Sequence, residues 1–245
     1  MVLKRKRESY KELKIVHGVF DEHTMLTLYR LLNKNGMTAE SLIDEGKEAV
    51  VLSGLKGKEW VAIKVYRTEA CDFKTMWKYL VGDPRFSNLK KRTRTVVNVW
   101  CQREFKNLKV ASEAGVNCPK PLAFKENVLI MSFLGENGKI ASRLIDVVPD
   151  NPEMLYKMVL ENLRKLVRSG LVHSDLSSYN ILLWEEPYFI DLSHATTVDN
   201  QTAPELLKRD IKNINSYFSK LNVYVNNPET IYEELINLIK EKVSK

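Results

Sequence analysis

The sequence predicts an α+β fold, β-rich in its first half and mainly helical in its second. Three observations predict it. Alternating and β-branched runs lie in the first half, at Val50–Ser53, Trp60–Tyr66 and Val128–Met131. Apolar residues at helical spacing dominate the second half, in Pro152–Ser169 and from Thr202 to Phe218. The chain of 245 residues, 44% of them hydrophobic, is long enough for a good core and too apolar for general disorder.

The elements follow in order. Asp44-Glu45-Gly46-Lys47-Glu48-Ala49 reads as a turn, leading into the strand Val50–Ser53 and a second turn at Lys56-Gly57. Trp60–Tyr66 alternates, which puts Lys64 on a strand. The stretch from Arg67 to Val97 reads as a loop, long enough for a functional or mobile segment. Asn98–Ala114 reads as a helix with Cys101, Phe105, Leu108 and Ala111 on its apolar face, Glu104 beside that face and Gly115 at its end. Val128–Met131 is a buried strand and Ser132–Gly135 the linker from the β-rich part to the helical part. In Pro152–Ser169, Leu155, Val159, Leu163 and Leu166 form the inner face and Gly170 the cap. Ile181–Trp184 and Pro187–Ile190 are strands joined by Glu185-Glu186. A final helix begins with Thr202 as N-cap and Pro204 in its first turn, with Leu206, Ile211, Ile214 and Phe218 inside.

The loop before the hairpin carries the strongest chemical signal. In His173-Ser174-Asp175-Leu176-Ser177-Ser178-Tyr179-Asn180, an aspartate precedes an asparagine by five positions, and Asp191 follows eleven positions later. Phosphoryl transfer needs this set: Asp175 to accept the proton of an attacking hydroxyl or water, Asn180 and Asp191 to hold a divalent cation against phosphates. A lysine on a strand and a glutamate on a helix then belong upstream. Lys64, in Val61-Ala62-Ile63-Lys64, and Glu104 fill those places. A surface lysine or a capping aspartate is the ordinary fate of each residue type; four matches in the right order argue against coincidence. Gly46, Lys47 and Glu48 are the candidates for a phosphate-binding turn, with a plain charged hairpin as the alternative reading. Ala62, Met131, Ser132 and Leu134 are the candidates for an adenine pocket, with backbone groups of Ser132 and Leu134 on the base edge.

Together these residues resemble the RIO family of atypical serine/threonine protein kinases, in its archaeal-type subgroup without an N-terminal winged helix. The resemblance covers nearly the whole chain. It includes Val19-Phe20-Asp21-Glu22, Gly46-Lys47-Glu48-Ala49, Tyr66-Arg67-Thr68-Glu69-Ala70-Cys71-Asp72-Phe73, Gly82-Asp83-Pro84-Arg85-Phe86 and Trp100. It continues through Glu104-Phe105, Ala114-Gly115-Val116, Met131-Ser132-Phe133-Leu134-Gly135, His173-Ser174-Asp175-Leu176-Ser177 and Lys208-Arg209-Asp210-Ile211. It implies a bilobal protein-kinase-like fold, with an antiparallel N-lobe sheet plus one helix and a mainly helical C-lobe lacking an ordinary activation segment. It implies ATP with Mg²⁺ or Mn²⁺, phosphorylation of Ser or Thr including self-phosphorylation, and a role with the pre-ribosomal small subunit and its rRNA; it names no particular protein substrate. The expected division is 1–40 for a basic segment and a helix packing on the N-lobe, 41–132 for the N-lobe with a flexible loop at 67–97, and 133–245 for the C-lobe. Two places depart from the family pattern. Asp44-Glu45 stands where relatives have Ser-Thr, putting two carboxylates near a triphosphate, and Ser174 and Ser178 stand where the catalytic loop has Gly and Glu. Ala203-Pro204-Glu205 resembles the end of an activation loop, but only eleven residues separate it from Asp191, and a helix start is the simpler reading.

Composition bounds the function further. The net charge is +7, from 38 basic and 31 acidic residues, with basic runs at Lys4-Arg5-Lys6-Arg7 and Lys90-Lys91-Arg92-Thr93-Arg94. A solvated segment or a phosphate-backbone contact would each explain them. Cys71, Cys101 and Cys118 are odd in number and lack a CxxC pair, so neither a disulfide framework nor zinc is indicated. No apolar run reaches membrane-spanning length and no secretory signal follows the basic start, so a cytoplasmic protein without membrane partners is expected. By their position in the stretch 67–97, Ser87, Thr93 and Thr95 are candidate self-phosphorylation sites. Three activities compete: a Ser/Thr protein kinase, an ATPase switch in which Asp191 itself accepts the γ-phosphoryl group to time release from pre-ribosomal particles, and a small-molecule kinase, which the family motifs disfavour.

Overall fold

The computed structural model describes residues 19–69, 72–81, 83–86 and 91–243. The basic run at Lys4–Arg7, Cys71, Ser87 and Lys90 lie outside the described residues. The described residues fall into two compact units. One is drawn from Met1–Val81, Phe86–Phe105 and Pro121–Ile140; the other comprises Gly82–Arg85, Lys106–Lys120 and Ala141–Lys245.

The first unit is built on a five-stranded antiparallel sheet. Its strands are β1 (Met37–Glu45), β2 (Ala49–Lys56), β3 (Glu59–Tyr66), β4 (Pro121–Lys125) and β5 (Val128–Ser132), in the order β1-β2-β3-β5-β4. Strand alternation sends Val50, Leu52, Val61, Ile63, Val65, Val128 and Ile130 to one buried cluster. Helix α1 (Glu22–Asn35) closes that face with Leu28, Leu31 and Leu32. Burying each such leucine stabilises the unit by about 2 kcal/mol. Asp21 is the N-cap of α1, taking the Thr24 amide at 2.9 Å, and Gly36 ends it in the left-handed conformation at φ 64°. Asp21 also accepts from Thr68 at 2.8 Å and pairs with Arg94 at 3.1 Å. Those bonds, opposed by partial desolvation, hold its pKa down at about 2.

Two elements differ from expectation between Arg67 and Val97. Helix α2 (Phe73–Val81) occupies part of the expected loop, burying Met76 and Leu80, and helix α3 (Thr93–Glu113) begins five residues before Asn98. The unit boundary also differs from the expected 132/133. The short hairpin β6 (Gly135–Glu136) and β7 (Lys139–Ile140) stays with the first unit. There Trp60 packs so closely on Gly138 that a Cβ would lie 2.7 Å from its ring, and Phe133 sits with its ring centroid 6.0 Å from that of Trp60.

In the second unit, helix α4 (Pro152–Ser169) starts at the N-cap Asn151, whose side chain accepts from the Met154 amide at 3.0 Å. Leu155, Val159, Leu163 and Leu166 are buried, and Gly170 ends the helix at φ 96°. Strand β8 (Ser142–Arg143) joins β10 (Ile181–Trp184) and β11 (Glu186–Phe189) in a three-stranded sheet of order β11-β10-β8, while β9 (Leu171–Val172) pairs with β12 (Thr196–Thr197). Glu185 alone forms the tip of the β10–β11 hairpin at φ 60°, because Glu186 pairs with Trp184. Helix α5 (Ala203–Lys220) begins at Ala203, so Ala203-Pro204-Glu205 is a helix start. Thr202 sits at its N-cap position but makes no capping bond; its amide and hydroxyl both bond the Asn200 side chain at 3.0 Å. The buried face runs through Leu207, Ile211, Ile214 and Phe218, with Leu206 turned partly outward. Helix α6 (Pro228–Val243) is tied to α5 by Lys208 and Glu229 at 3.1 Å. Among the described residues no helix is long and apolar enough to cross a membrane.

Candidate active site

Each unit positions one set of candidate residues. In the first, β3 and α3 bring Lys64 and Glu104 together. The lysine Nζ donates to Glu104 Oε1 at 3.0 Å, with both side chains almost wholly buried. A buried ion pair needs further hydrogen bonds to offset desolvation. Tyr66 supplies one: it lies two positions beyond Lys64 on the same strand face, and its hydroxyl donates to Glu104 Oε2. Lys64 Nζ also lies 5.0 Å from the Tyr66 ring centroid. Cys101, one turn before Glu104, has its thiol pKa pushed well up by burial and by the glutamate charge.

The β1–β2 turn holds Gly46, Lys47 and Glu48. Gly46 donates its amide to Ala49 O at 2.9 Å, so that group closes the hairpin. Lys47 is exposed and Glu48 half-buried, its carbonyl accepting from the Arg67 amide at 2.8 Å. The carboxylate of Glu45 is paired with the Arg67 guanidinium, which offsets one of the two charges that would repel a triphosphate. Ala62 and Met131 are direct register partners across β3 and β5; both are buried, as is Leu134, and Ser132 is half-buried at the end of β5. Thr93 is exposed and Thr95 half-buried in the first turn of α3.

In the second unit the loop after β9 presents Asp175 to solvent while Ser174 and Leu176 are buried on either side. Asn180 closes this loop, its Nδ2 donating to Asp175 O at 2.8 Å and Oδ2 at 3.1 Å. With the amide nitrogen so engaged, the Asn180 carbonyl oxygen is the atom suited to a hard cation. Asp191 is drawn to the same loop through Ile190, whose amide donates to Asn180 O at 3.0 Å and whose carbonyl accepts from His173 Nε2 at 3.1 Å. A carbonyl only accepts, so His173 carries its proton on Nε2. Burial depresses its pKa to about 4 against the upward pull of Asp191 and Asp175, leaving a neutral ring. Asp191 is half-buried at φ 58°, and its Oδ1 accepts from Ser193 Oγ at 2.7 Å. Oxygen donors on Asn180 and Asp191 suit Mg²⁺ or Mn²⁺, ions that keep several waters. Among the described residues there is no cluster of three or more His, Cys, Asp or Glu for a softer, all-protein metal site.

Three residues of α5 make contacts that escaped sequence reasoning. Asp210 accepts the Ser174 amide at 2.8 Å and the Leu176 amide at 2.9 Å. Arg209 donates to Ser174 O, and Asn213 to Leu176 O at 3.1 Å. The peptide groups flanking Asp175 are thus fastened while its carboxylate, bonded by Asn180, stays exposed to solvent. Burial pushes the Asp210 carboxyl up to about 7, against those two amides and Arg209. The run Lys208–Ile211 had signalled a family feature, but nothing local shows that its aspartate grips a loop more than thirty residues earlier.

A strand lysine braced by a helix glutamate in a β-rich unit, with an Asp–Asn loop and an aspartate after a hairpin in a helical one, is the organisation of protein-kinase-like phosphotransferases. The fold itself is similar to the crystal structure of the Rio2 kinase–ADP/Mg²⁺–phosphoaspartate complex from Chaetomium thermophilum, with a TM-score of 0.68 at 20% identity over 87% of this chain and 65% of that chain. Residues 49–231 match the RIO domain. The chain is 41% identical over 244 residues to the RIO-type serine/threonine-protein kinase Rio1 of Methanocaldococcus jannaschii, covering 98% of this chain and 82% of that protein. It is 42% identical over 212 residues to the Rio1 kinase of Haloferax volcanii, covering 85% and 73%. The chain therefore belongs to the RIO family of serine/threonine-protein kinases.

Proposed function

We propose that this chain is an ATP- and Mg²⁺-dependent Ser/Thr protein kinase that also phosphorylates itself and acts on the pre-ribosomal small subunit. The observation that carries the chemistry is the Asp175–Asn180 contact: an exposed carboxylate on an immobilised backbone, oriented by the amide of the residue suited to hold the cation. Asp175 orients the attacking Ser or Thr hydroxyl and accepts its proton, an effect worth about 10²–10⁴-fold in rate. Lys64, braced by Glu104 and Tyr66, offsets negative charge on the nucleotide phosphates. Asn180 and Asp191 would hold Mg²⁺, which when bound neutralises charge on the phosphate oxygens. Ala62, Met131 and Leu134 would line the adenine site, with Ser132 at its edge. The net charge of +7 favours a ribosomal-RNA surface as partner.

A second reading makes Asp191 the acceptor. Its carboxylate oxygen would attack the γ-phosphorus, the bond to the bridging oxygen would break and ADP would leave; water would then hydrolyse the acyl phosphate. The phosphoaspartate named for the Rio2 relative motivates this reading. So does Ser193, which donates to one carboxylate oxygen and fixes its orientation.

Phosphate release from γ-labelled ATP, with and without purified small subunits, separates the readings for wild type, Lys64→Met, Asp175→Ala and Asp191→Ala. Acid-stable label on Ser or Thr that falls at least 10²-fold in Asp175→Ala supports the kinase. Acid-labile label lost in Asp191→Ala but kept in Asp175→Ala supports the ATPase switch. Wild-type behaviour in all three variants would overturn both.

A further inference from the structure

The run Gly82–Phe86 has no place in the chemistry above, yet Asp83 is only 1% exposed. A buried carboxylate is costly unless it is paired and hydrogen-bonded. Arg85 meets it fork to fork: Nε reaches Oδ1 at 2.9 Å and Nη2 reaches Oδ2 at 2.6 Å. The Arg85 amide also donates to Asp83 Oδ1 at 3.0 Å, closing the 3₁₀ turn Pro84–Phe86. The remaining guanidinium arm, Nη1, donates to Oδ1 of Asn107 at 2.9 Å. Asn107 is fully buried on α3. Because its oxygen is fixed by Arg85, its amide hydrogens face the other way, donating to Leu192 O at 2.8 Å and Ala195 O at 2.9 Å. Those two carbonyls bracket the turn directly after Asp191, and Ala195 N returns to Leu192 O at 3.2 Å.

We propose that Asp83, Arg85 and Asn107 are positioning residues for Asp191, a relay of directed hydrogen bonds that sets the turn 192–195 and through it the Asp191 carboxylate toward the divalent cation. The relay has a sense of direction. A guanidinium cannot accept and a carbonyl cannot donate, so the group at 107 must accept once and donate twice, as a side-chain amide does. Asp191 sits in left-handed backbone at φ 58°, a conformation that an L residue keeps only when its surroundings hold it there. The inference rests on the reading of Asp191 as a cation ligand.

The test is Mn²⁺ affinity in the presence of ADP, read from the electron paramagnetic resonance signal of the free ion, alongside the Mg²⁺ concentration for half-maximal label transfer. Asn107→Asp keeps the shape and the Arg85 contact but removes both donors. Arg85→Lys still pairs with Asp83 but loses the fork that reaches Asn107. Each is expected to weaken Mn²⁺ binding and raise the Mg²⁺ requirement at least tenfold, with ADP affinity in the absence of metal changed less than twofold. Asn162→Ala, which cuts the Asn117–Asn162 knot elsewhere in the same unit, controls for general loosening and is expected to leave Mn²⁺ affinity unchanged. Should Asn107→Asp fail to fold, Arg85→Lys decides. Folded Arg85→Lys with wild-type Mn²⁺ affinity overturns the relay. If Asp191→Asn also binds Mn²⁺ like wild type, the cation role of Asp191 falls and the relay with it. If Asp191→Asn alone loses the ion, only the relay falls.

Discussion

Ser174 stands directly before the exposed Asp175 with φ 69°, in the left-handed region where a Cβ crowds the following carbonyl. That conformation costs an L residue about 1–2 kcal/mol. Its amide is held by Asp210, its carbonyl by Arg209, and its hydroxyl donates to Val172 O at 3.3 Å, a long and weak bond. The surrounding contacts therefore impose the strain, and they are the same contacts that aim Asp175. A glycine, the residue of the family pattern, would take this backbone without strain, offset in part by its greater freedom in the unfolded chain. Ser174→Gly is predicted to raise unfolding stability by about 0.5–1 kcal/mol. Urea denaturation measures this, and a loss of stability would show that the hydroxyl contact outweighs the backbone strain.

At the scale of elements, the first unit depends on how closely β1 and β2 approach. Gly54 is paired with Ala39 beside a register shift in β1, and a Cβ there would lie 2.3 Å from Thr38 O and 2.7 Å from Ile63 Cδ1. The first of these neighbours is backbone, so β1 itself would have to move. Gly54→Ala is predicted to cost about 2–3 kcal/mol, as overpacking does. Gly57→Ala, at φ 63° with open space around it, should cost about 1 kcal/mol from backbone strain alone. Thermal or urea unfolding of the pair ranks them, and the reverse order would refute the packing argument. The strands and the long helices were legible because their apolar residues repeat at a single period, as Leu155, Val159, Leu163 and Leu166 do. Helix α2 was not, since it buries only Met76 and Leu80 within a stretch rich in aromatic residues that suit a strand equally well. The early start of α3 was hidden by Thr93 and Thr95, β-branched residues of low helix preference, held by the tertiary contact of Arg94 with Asp21.

Across the whole molecule, the candidate site residues that the sequence offers are those whose chemistry is encoded by type and spacing: Lys64, Glu104, Asp175, Asn180 and Asp191. Those that hold them were not, because Tyr66, Asn107 and Asp210 act on partners that only the folded chain brings near; Asn107 reaches Leu192 across 85 positions. Two of the holding contacts have opposite dependence on pH. His173 is depressed to about 4 by burial, so between its unfolded value of 6.5 and pH 4 the unfolded chain binds the extra proton and stability falls as pH falls. Asp210 is raised to about 7 from 3.8, so over the same window the folded chain binds the extra proton and stability rises as pH falls. Each contributes on the order of 3 kcal/mol between pH 6.5 and 4, with opposite sign, and the two nearly cancel. Removing either should expose the other. Asp210→Asn is predicted to lose about 3 kcal/mol more than wild type on going from pH 6.5 to 4, whatever its stability at pH 6.5. His173→Gln is predicted to gain a similar amount relative to wild type over that range. Urea midpoints at half-unit pH steps test both slopes; parallel curves for all three proteins would show that neither buried group changes its proton affinity on folding, and the neutral imidazole assigned to His173 would then have to be abandoned.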